Sequence, residues 1–185
     1  MHSRVRPFVF AVALAALLPV RAEAQTGLMA DLIKDMHDVH GKLVALAKAT
    51  PEDKMSYRPT ADVRSTGEVF LHVASDNYLL PAMVGAAPIP ASTGISATDL
   101  STLGKFEKQT KTRDALVSEL NTSFGHLAKA MGGVADSRMD EKVKMFGQDM
   151  TMRQVWLLTV THLHEHLGQS IAYARANGIT PPWSK

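Results

Sequence analysis

The chain has 185 residues, of which 20 are basic, 18 acidic and eight histidine, and it has no cysteine. This length suits one domain with a sizeable core, and the lack of cysteine excludes disulfides, thiolate nucleophiles, lipid anchoring through cysteine and sulfur-based zinc sites. Any metal ion must therefore be held by imidazole and carboxylate groups.

The first 24 residues have the layout of a secretory signal peptide. Arg4 and Arg6 give a positively charged start, residues 8–18 form an unbroken apolar run, and Ala22-Glu23-Ala24 is a small-x-small cleavage site. The run is shorter than the roughly 20 apolar residues of a membrane span, which makes an uncleaved anchor the weaker alternative. We expect an exported protein, periplasmic or secreted, whose mature domain comprises residues 25–185.

Removal of the signal peptide would change the charge balance. Residues 1–24 contain three of the basic residues and one of the acidic residues, so the rest of the chain carries 17 of each. A neutral domain without a basic run favours no nucleic-acid partner and has no stable membrane anchor after cleavage. The expected partner is a small-molecule substrate of unknown identity, and a homodimer is compatible with the sequence.

Four helical stretches follow, the first two of them before residue 81. The first is predicted over residues 28–49, where apolar residues recur at steps of three and four, and Thr50-Pro51 ends it. The second is predicted to begin at Ser65-Thr66-Gly67-Glu68, which fits a capping box, and to end at Leu80 because Pro81 follows.

The middle of the chain alternates between loop and helix. Residues 85–98 carry prolines and glycines but no charge, which predicts a loop long enough to cover a functional site. A third helix is predicted over residues 112–131, ended by Gly132-Gly133. Residues 134–150 are predicted to form a short extended piece or a hairpin.

The fourth helix has clear signals at both ends. Residues 151–154 form a second capping box, and the helix is predicted to run to Asn177, before Gly178 and Pro181-Pro182. Four helices of similar length without a convincing set of strands predict an all-α fold, a four-helix bundle with one or more long connections.

Three histidines lie within five residues of this fourth helix. His162 and His166 are four residues apart, so both imidazoles share one helix face, and we expect that face to point to the bundle core. His164 is about 200° round the helix from His162 and points elsewhere. The pair could bind one metal ion or could be two core histidines bonded to hydroxyls or water, and the spacing alone leaves both open.

His72 is the best candidate for a third ligand, because it lies in the middle of the apolar second helix. Glu68 and Asp76 are four residues on either side of it, close enough to orient its free N–H or to bind the ion, although Glu68 is favoured as the helix cap. Asp76 and Glu165, which follows His162 by three residues, are the candidate general bases of a catalytic site.

The remaining histidines are weaker candidates. His40 borders the apolar face of the first helix and is a candidate fourth ligand, although a solvated helix edge is favoured for it. His37 and His126 are expected at the surface.

Three stretches of the chain resemble the DinB-like family, or DinB/YfiT superfamily, of four-helix-bundle proteins. Residues 57–60 and 63–74 resemble the loop and helix that present the family's first histidine. His162-Leu163-His164-Glu165-His166-Leu167-Gly168-Gln169 resembles its segment with two histidines four apart followed by Gly-Gln, and residues 173–182 resemble its C-terminal ending. The stretches occur in the family's order and span most of the mature chain.

The resemblance implies a divalent metal ion held by His72, His162 and His166, with open coordination positions. Zinc and nickel are the foremost candidates, although three neutral imidazoles also accept copper, cobalt and iron. Relatives include thiol-dependent transferases and isomerases, but low-molecular-weight thiols are chiefly cytoplasmic and this chain carries an export signal. We therefore predict a metal-dependent hydrolase or transferase of unknown substrate, with a non-catalytic metal-binding or scaffold bundle as the alternative.

Overall fold

The computed structural model of the chain describes residues 27–184, so the predicted signal peptide lies outside the described residues. Within them the elements are α1 (Leu28–Ala49), α2 (Thr66–Met83), α3 (Ser101–Glu107), α4 (Arg113–Gly132), β1 (Lys142–Met145), β2 (Gln148–Thr151) and α5 (Met152–Ala176). The four long helices form the bundle, which confirms the predicted all-α fold with long connections. No helix in this part of the chain combines the length and the apolarity that crossing a bilayer requires.

The packing order of the bundle decides which helix faces meet. Helix α1 packs against α4 and α5, and α2 also packs against α4 and α5. The largest fully buried side chains include Trp156, Tyr78, Phe70 and Phe124, which come from α2, α4 and α5. Because α2 is apolar over most of its circumference, it is buried on most sides, and its contact with α5 brings His72 towards the histidine pair.

Both predicted capping boxes are formed, and they begin the two helices that carry the candidate ligands. The Ser65 hydroxyl accepts from the Glu68 backbone N–H, and the Glu68 carboxylate accepts from the Ser65 backbone N–H. Thr151 and Gln154 make the same exchange at the start of α5. Each box pairs N–H groups that a helix start otherwise leaves without a partner, which fixes where the helix begins.

The end of α2 differs from the sequence prediction. The helix was expected to end at Leu80, but it continues to Met83 with Pro81 inside its last turn. Proline removes only one backbone donor there, and Leu79, Leu80 and Pro81 are all buried. Packing of this last turn therefore stabilises the helix beyond the proline.

Two further elements lie in the connections. Helix α3 was not predicted. It has seven residues, of which only Phe106 and Glu107 are buried, and two buried residues are too few to produce a helical period.

Residues 134–150, which were expected to form an extended piece or a hairpin, contain the antiparallel hairpin β1–β2. Its turn, Phe146-Gly147, has positive φ at both residues (49° and 79°), as a two-residue hairpin of this kind requires.

Candidate metal site

The structure brings His72 of α2 together with His162 and His166 of α5. The ring centroids are 5.2 Å apart for His72 and His162, 4.5 Å for His72 and His166, and 4.4 Å for His162 and His166. One ring nitrogen from each histidine lies within 4.8 Å of the other two, and these three are the described residues that could together hold a metal ion. The histidines therefore converge on one point between α2 and α5, as the sequence prediction requires.

His166 has a buried ring nitrogen without a partner. Its Nδ1 donates to Gln169 Oε1 at 2.8 Å, and the Gln169 side-chain amide donates in turn to the Tyr173 hydroxyl. This leaves Nε2 as the lone-pair nitrogen, and that atom is buried with no hydrogen-bond partner. A buried acceptor of this kind is costly unless something binds it, so the donor set fits a metal ion.

Burial also keeps this imidazole neutral. Burial, together with the smaller effect of the nearby imidazoles of His72 and His162, lowers the pKa of His166 to about 4. The neutral form has the free lone pair that a metal ion needs, whereas the protonated form has none. His166 is therefore available as a ligand throughout the physiological pH range.

His72 is oriented by a carboxylate that lies outside α2 and α5, the two helices that carry the histidines. Its Nδ1 lies 2.8 Å from Glu107 Oε1 at the end of α3, and because an ionised carboxylate only accepts, Nδ1 must carry the proton. Arg64 donates to both oxygens of Glu107, at 2.7 and 3.3 Å. Burial raises the pKa of the Glu107 carboxyl, but the hydrogen bonds from His72 and Arg64 outweigh it and hold that pKa below its usual value.

His162 contacts one of the two candidate bases. Its Nε2 lies 2.8 Å from Asp76 Oδ2, and the same oxygen is 3.5 Å from Nε2 of His72. Glu165 is 3.9 Å from His162 Nδ1 at its nearest, and its side chain is 74% exposed against 13% for Asp76. Of the two candidate bases, Asp76 is thus the one that contacts two of the three histidines, while Glu165 extends into solvent.

His164 and His37 lie away from the site, as expected. The His164 ring is on another face of α5, where its Nε2 lies 2.9 Å from an oxygen of Asp35 on α1. His37 is exposed.

Two other histidines differ from the sequence expectations. For His40 a solvated helix edge was favoured over a fourth ligand, but its half-buried ring stacks on Phe124 at 4.4 Å and its Nε2 bonds to Asn121, so it faces α4 instead of solvent or the three-histidine centre. His126 was expected at the surface, but it is half-buried, with its ring 5.4 Å from that of Tyr78. The helical period places both histidines at the edge of an apolar face. In the structure, an aromatic side chain of another helix covers each imidazole ring.

Sequence analysis did not single out Glu107, Arg64 or Gln169. Gln169 lies within the motif quoted for the family resemblance and follows His166 by three residues, which was a usable signal. Glu107 is 35 residues from His72 and lies on a helix that was not predicted, so no spacing rule connects the two. Arg64 directly precedes the α2 capping box, but nothing in the sequence indicated which acid it pairs with.

Comparison with known proteins gives a consistent result. A family model described as the DinB superfamily matches residues 35–170. A DinB-like protein of known structure from Bacillus cereus superposes with a TM-score of 0.67 at 12% identity, covering 82% of this chain and 93% of that chain. Another from Bacillus subtilis gives a TM-score of 0.61 at 19% identity, covering 81% and 93%.

These structural likenesses have low sequence identity and therefore show the shared fold alone. No curated protein matches the chain. The family model, by contrast, spans most of the chain and includes all three converging histidines. The chain therefore belongs to the DinB superfamily.

Proposed function

We propose that this protein is exported, that it binds one divalent metal ion through His72, His162 and His166, and that it uses the ion in hydrolysis or group transfer on a small-molecule substrate. The observation that carries the proposal is the buried Nε2 of His166, which has no hydrogen-bond partner and lies among the other two imidazoles. A structural role alone would leave that nitrogen at an energetic cost, because a buried acceptor normally has a partner.

The chemistry of the site follows from what three imidazoles leave open. A divalent ion in such a site polarises carbonyl or phosphoryl oxygens and lowers the pKa of bound water towards neutrality. Asp76 is the described carboxylate that contacts two of the three histidines, so it is the proposed acceptor of a proton from water or substrate. The Gln169 and Glu107 contacts fix His166 and His72 in the tautomers that direct a lone pair to the centre.

The primary test is elemental analysis of protein isolated without an affinity tag, followed by a substrate screen with the metal present and after its removal. Close to one equivalent of a divalent ion, and activity lost with it, supports the full proposal. Bound metal without activity towards esters, amides or phosphoesters supports the non-catalytic alternative. Protein that neither contains nor takes up a divalent ion contradicts both.

Asp76→Asn should lower turnover strongly and leave the metal bound. Asparagine keeps the size and can still accept a hydrogen bond, but it cannot take up a proton, and loss of a general base typically costs about 10²- to 10⁴-fold in rate. Glu165→Gln is the matched control: this acid is close in sequence but exposed, and both metal content and rate should stay at the wild-type level. Equal rates in the two variants would remove Asp76 from the mechanism.

Export is proposed from the sequence alone, and the mature protein should begin at or near Gln25. N-terminal sequencing or intact mass of the exported form measures this directly. The controls are Ala22→Arg and Ala24→Arg, which place a bulky charge where signal peptidase requires a small residue and should block processing. A soluble cytoplasmic protein that keeps Met1 would contradict the proposed compartment.

A further inference from the structure

We infer that Glu107, held by Arg64, is a positioning residue that orients His72 and thereby sets how tightly the site holds its ion. Glu107 can have this role only if the proposed metal site exists. It lies outside the two helices that carry the histidines, on the short helix α3. The long connection between α2 and α4 would then contribute to the site through one side chain.

The contact with His72 determines which ring nitrogen is free. Glu107 accepts from Nδ1 at 2.8 Å, so the lone pair is on Nε2, the nitrogen on the Asp76 side of the ring. Without an acceptor at Nδ1, the ring could exchange tautomers or rotate, and part of the population would present an N–H to the ion. An anionic acceptor also makes the opposite nitrogen a stronger ligand.

Glu107 itself is fixed from two directions. Its side chain is only 10% exposed, and Arg64 binds it with Nε on one oxygen and Nη2 on the other. Arg64 directly precedes Ser65, the capping residue of α2, so the start of the same helix that carries His72 holds the carboxylate. The arrangement resists rotation of Glu107 because both oxygens are engaged.

The three histidines do not have equivalent supports. His166 donates to the neutral amide oxygen of Gln169, on its own helix, and His162 contacts Asp76, which lies on the side of the site itself. His72 alone has a buried carboxylate on its Nδ1 side, 2.8 Å away and held by an arginine. Removal of that charge should therefore weaken metal binding through His72.

The chain supplies a closely matched control for a purely structural role. Glu119 of α4 accepts from the Tyr78 hydroxyl at 2.9 Å and from Lys111 at 3.0 Å, and its side chain is 18% exposed. Like Glu107, it is a mostly buried carboxylate that joins an aromatic ring of α2 to a cation. It contacts none of the three histidines. A substitution of Glu119 should therefore change the stability of the fold without changing the orientation of His72.

The experiment is a competitive titration of the purified, metal-free protein with zinc against a chromophoric chelator. Glu107→Gln, which keeps the side-chain volume, should weaken zinc binding about tenfold, and Glu107→Ala should approach 100-fold, the range for lost support of a ligating histidine. Glu119→Gln and Glu119→Ala should bind zinc as the wild type does. Imidazole ¹⁵N NMR of the metal-free proteins should show a single Nδ1–H tautomer of His72 in the wild type and a mixture in Glu107→Ala, whereas Glu107→Gln, whose amide oxygen still accepts from Nδ1, should keep the wild-type tautomer and lose only the charge.

Two results separate failure of this inference from failure of the metal site. Equal zinc affinity of Glu107→Gln and Glu119→Gln, while His72→Ala loses zinc, would overturn the role of Glu107 and leave the site intact. Wild-type zinc binding in His72→Ala would overturn the site and the role of Glu107 with it. Because the glutamine variant is isosteric, the outcome does not depend on whether Glu107→Ala folds.

Discussion

Replacing His162 or His166 with alanine should leave the purified protein with almost no bound metal, whereas His164→Ala should retain close to the wild-type content. His162 and His166 each place a ring within 5.2 Å of the His72 ring, and a three-ligand site cannot easily lose one member. His164 leaves the same helix on another face and contacts Asp35 of α1 instead.

The measurement is metal content by mass spectrometry on the three single variants, prepared in parallel with the wild type. His164→Ala is the control for nonspecific binding, because it also removes one imidazole from α5, at a position two residues from both His162 and His166. Loss of the ion from His164→Ala with retention in His162→Ala would contradict the proposed site. It would show that a different face of α5 binds metal.

The bounds of the long helices were predictable where local signals coincide with burial. Helix α1 begins and ends as predicted, and α4 and α5 differ from prediction by one residue at each end. In these helices an amphipathic period is bounded by capping residues, glycine or proline, so local and tertiary preferences agree. At Pro81 they disagree, and burial of the last turn of α2 outweighs the single lost backbone donor.

The candidate site was predictable only where its residues are related by helical spacing. His162 and His166 follow from their four-residue separation, and Asp76 was expected beside His72 for the same reason. Its closest histidine, however, is His162, 86 residues away on α5. Glu107 is a tertiary contact from a connection without periodicity, and no pattern in one sequence relates it to His72.

Removing the metal ion should lower the melting temperature of the wild type strongly, because an ion that binds only the folded state stabilises it by mass action. At a free ion concentration about 1,000 times the dissociation constant, the gain is about 4 kcal/mol, or roughly 8–16 °C for a domain of this size. Thermal melts with saturating zinc and with chelator measure the difference. Leu163→Ala is the control for ordinary core loss: this buried leucine is next to His162 on α5, and its truncation should cost about 2–5 kcal/mol in both conditions.

The melting temperature of His166→Ala should depend on metal differently from that of the wild type or of Leu163→Ala. Without the ion, the wild type buries Nε2 of His166 with no partner, a cost of about 1–3 kcal/mol that alanine removes. This relief offsets part of the packing lost with the ring, so the metal-free variant should melt close to the metal-free wild type. Zinc should then raise the melting temperature of the wild type and of Leu163→Ala but not that of His166→Ala. A zinc-dependent rise in His166→Ala as large as in the wild type would mean that the ion binds elsewhere, and the partnerless nitrogen would then need another explanation.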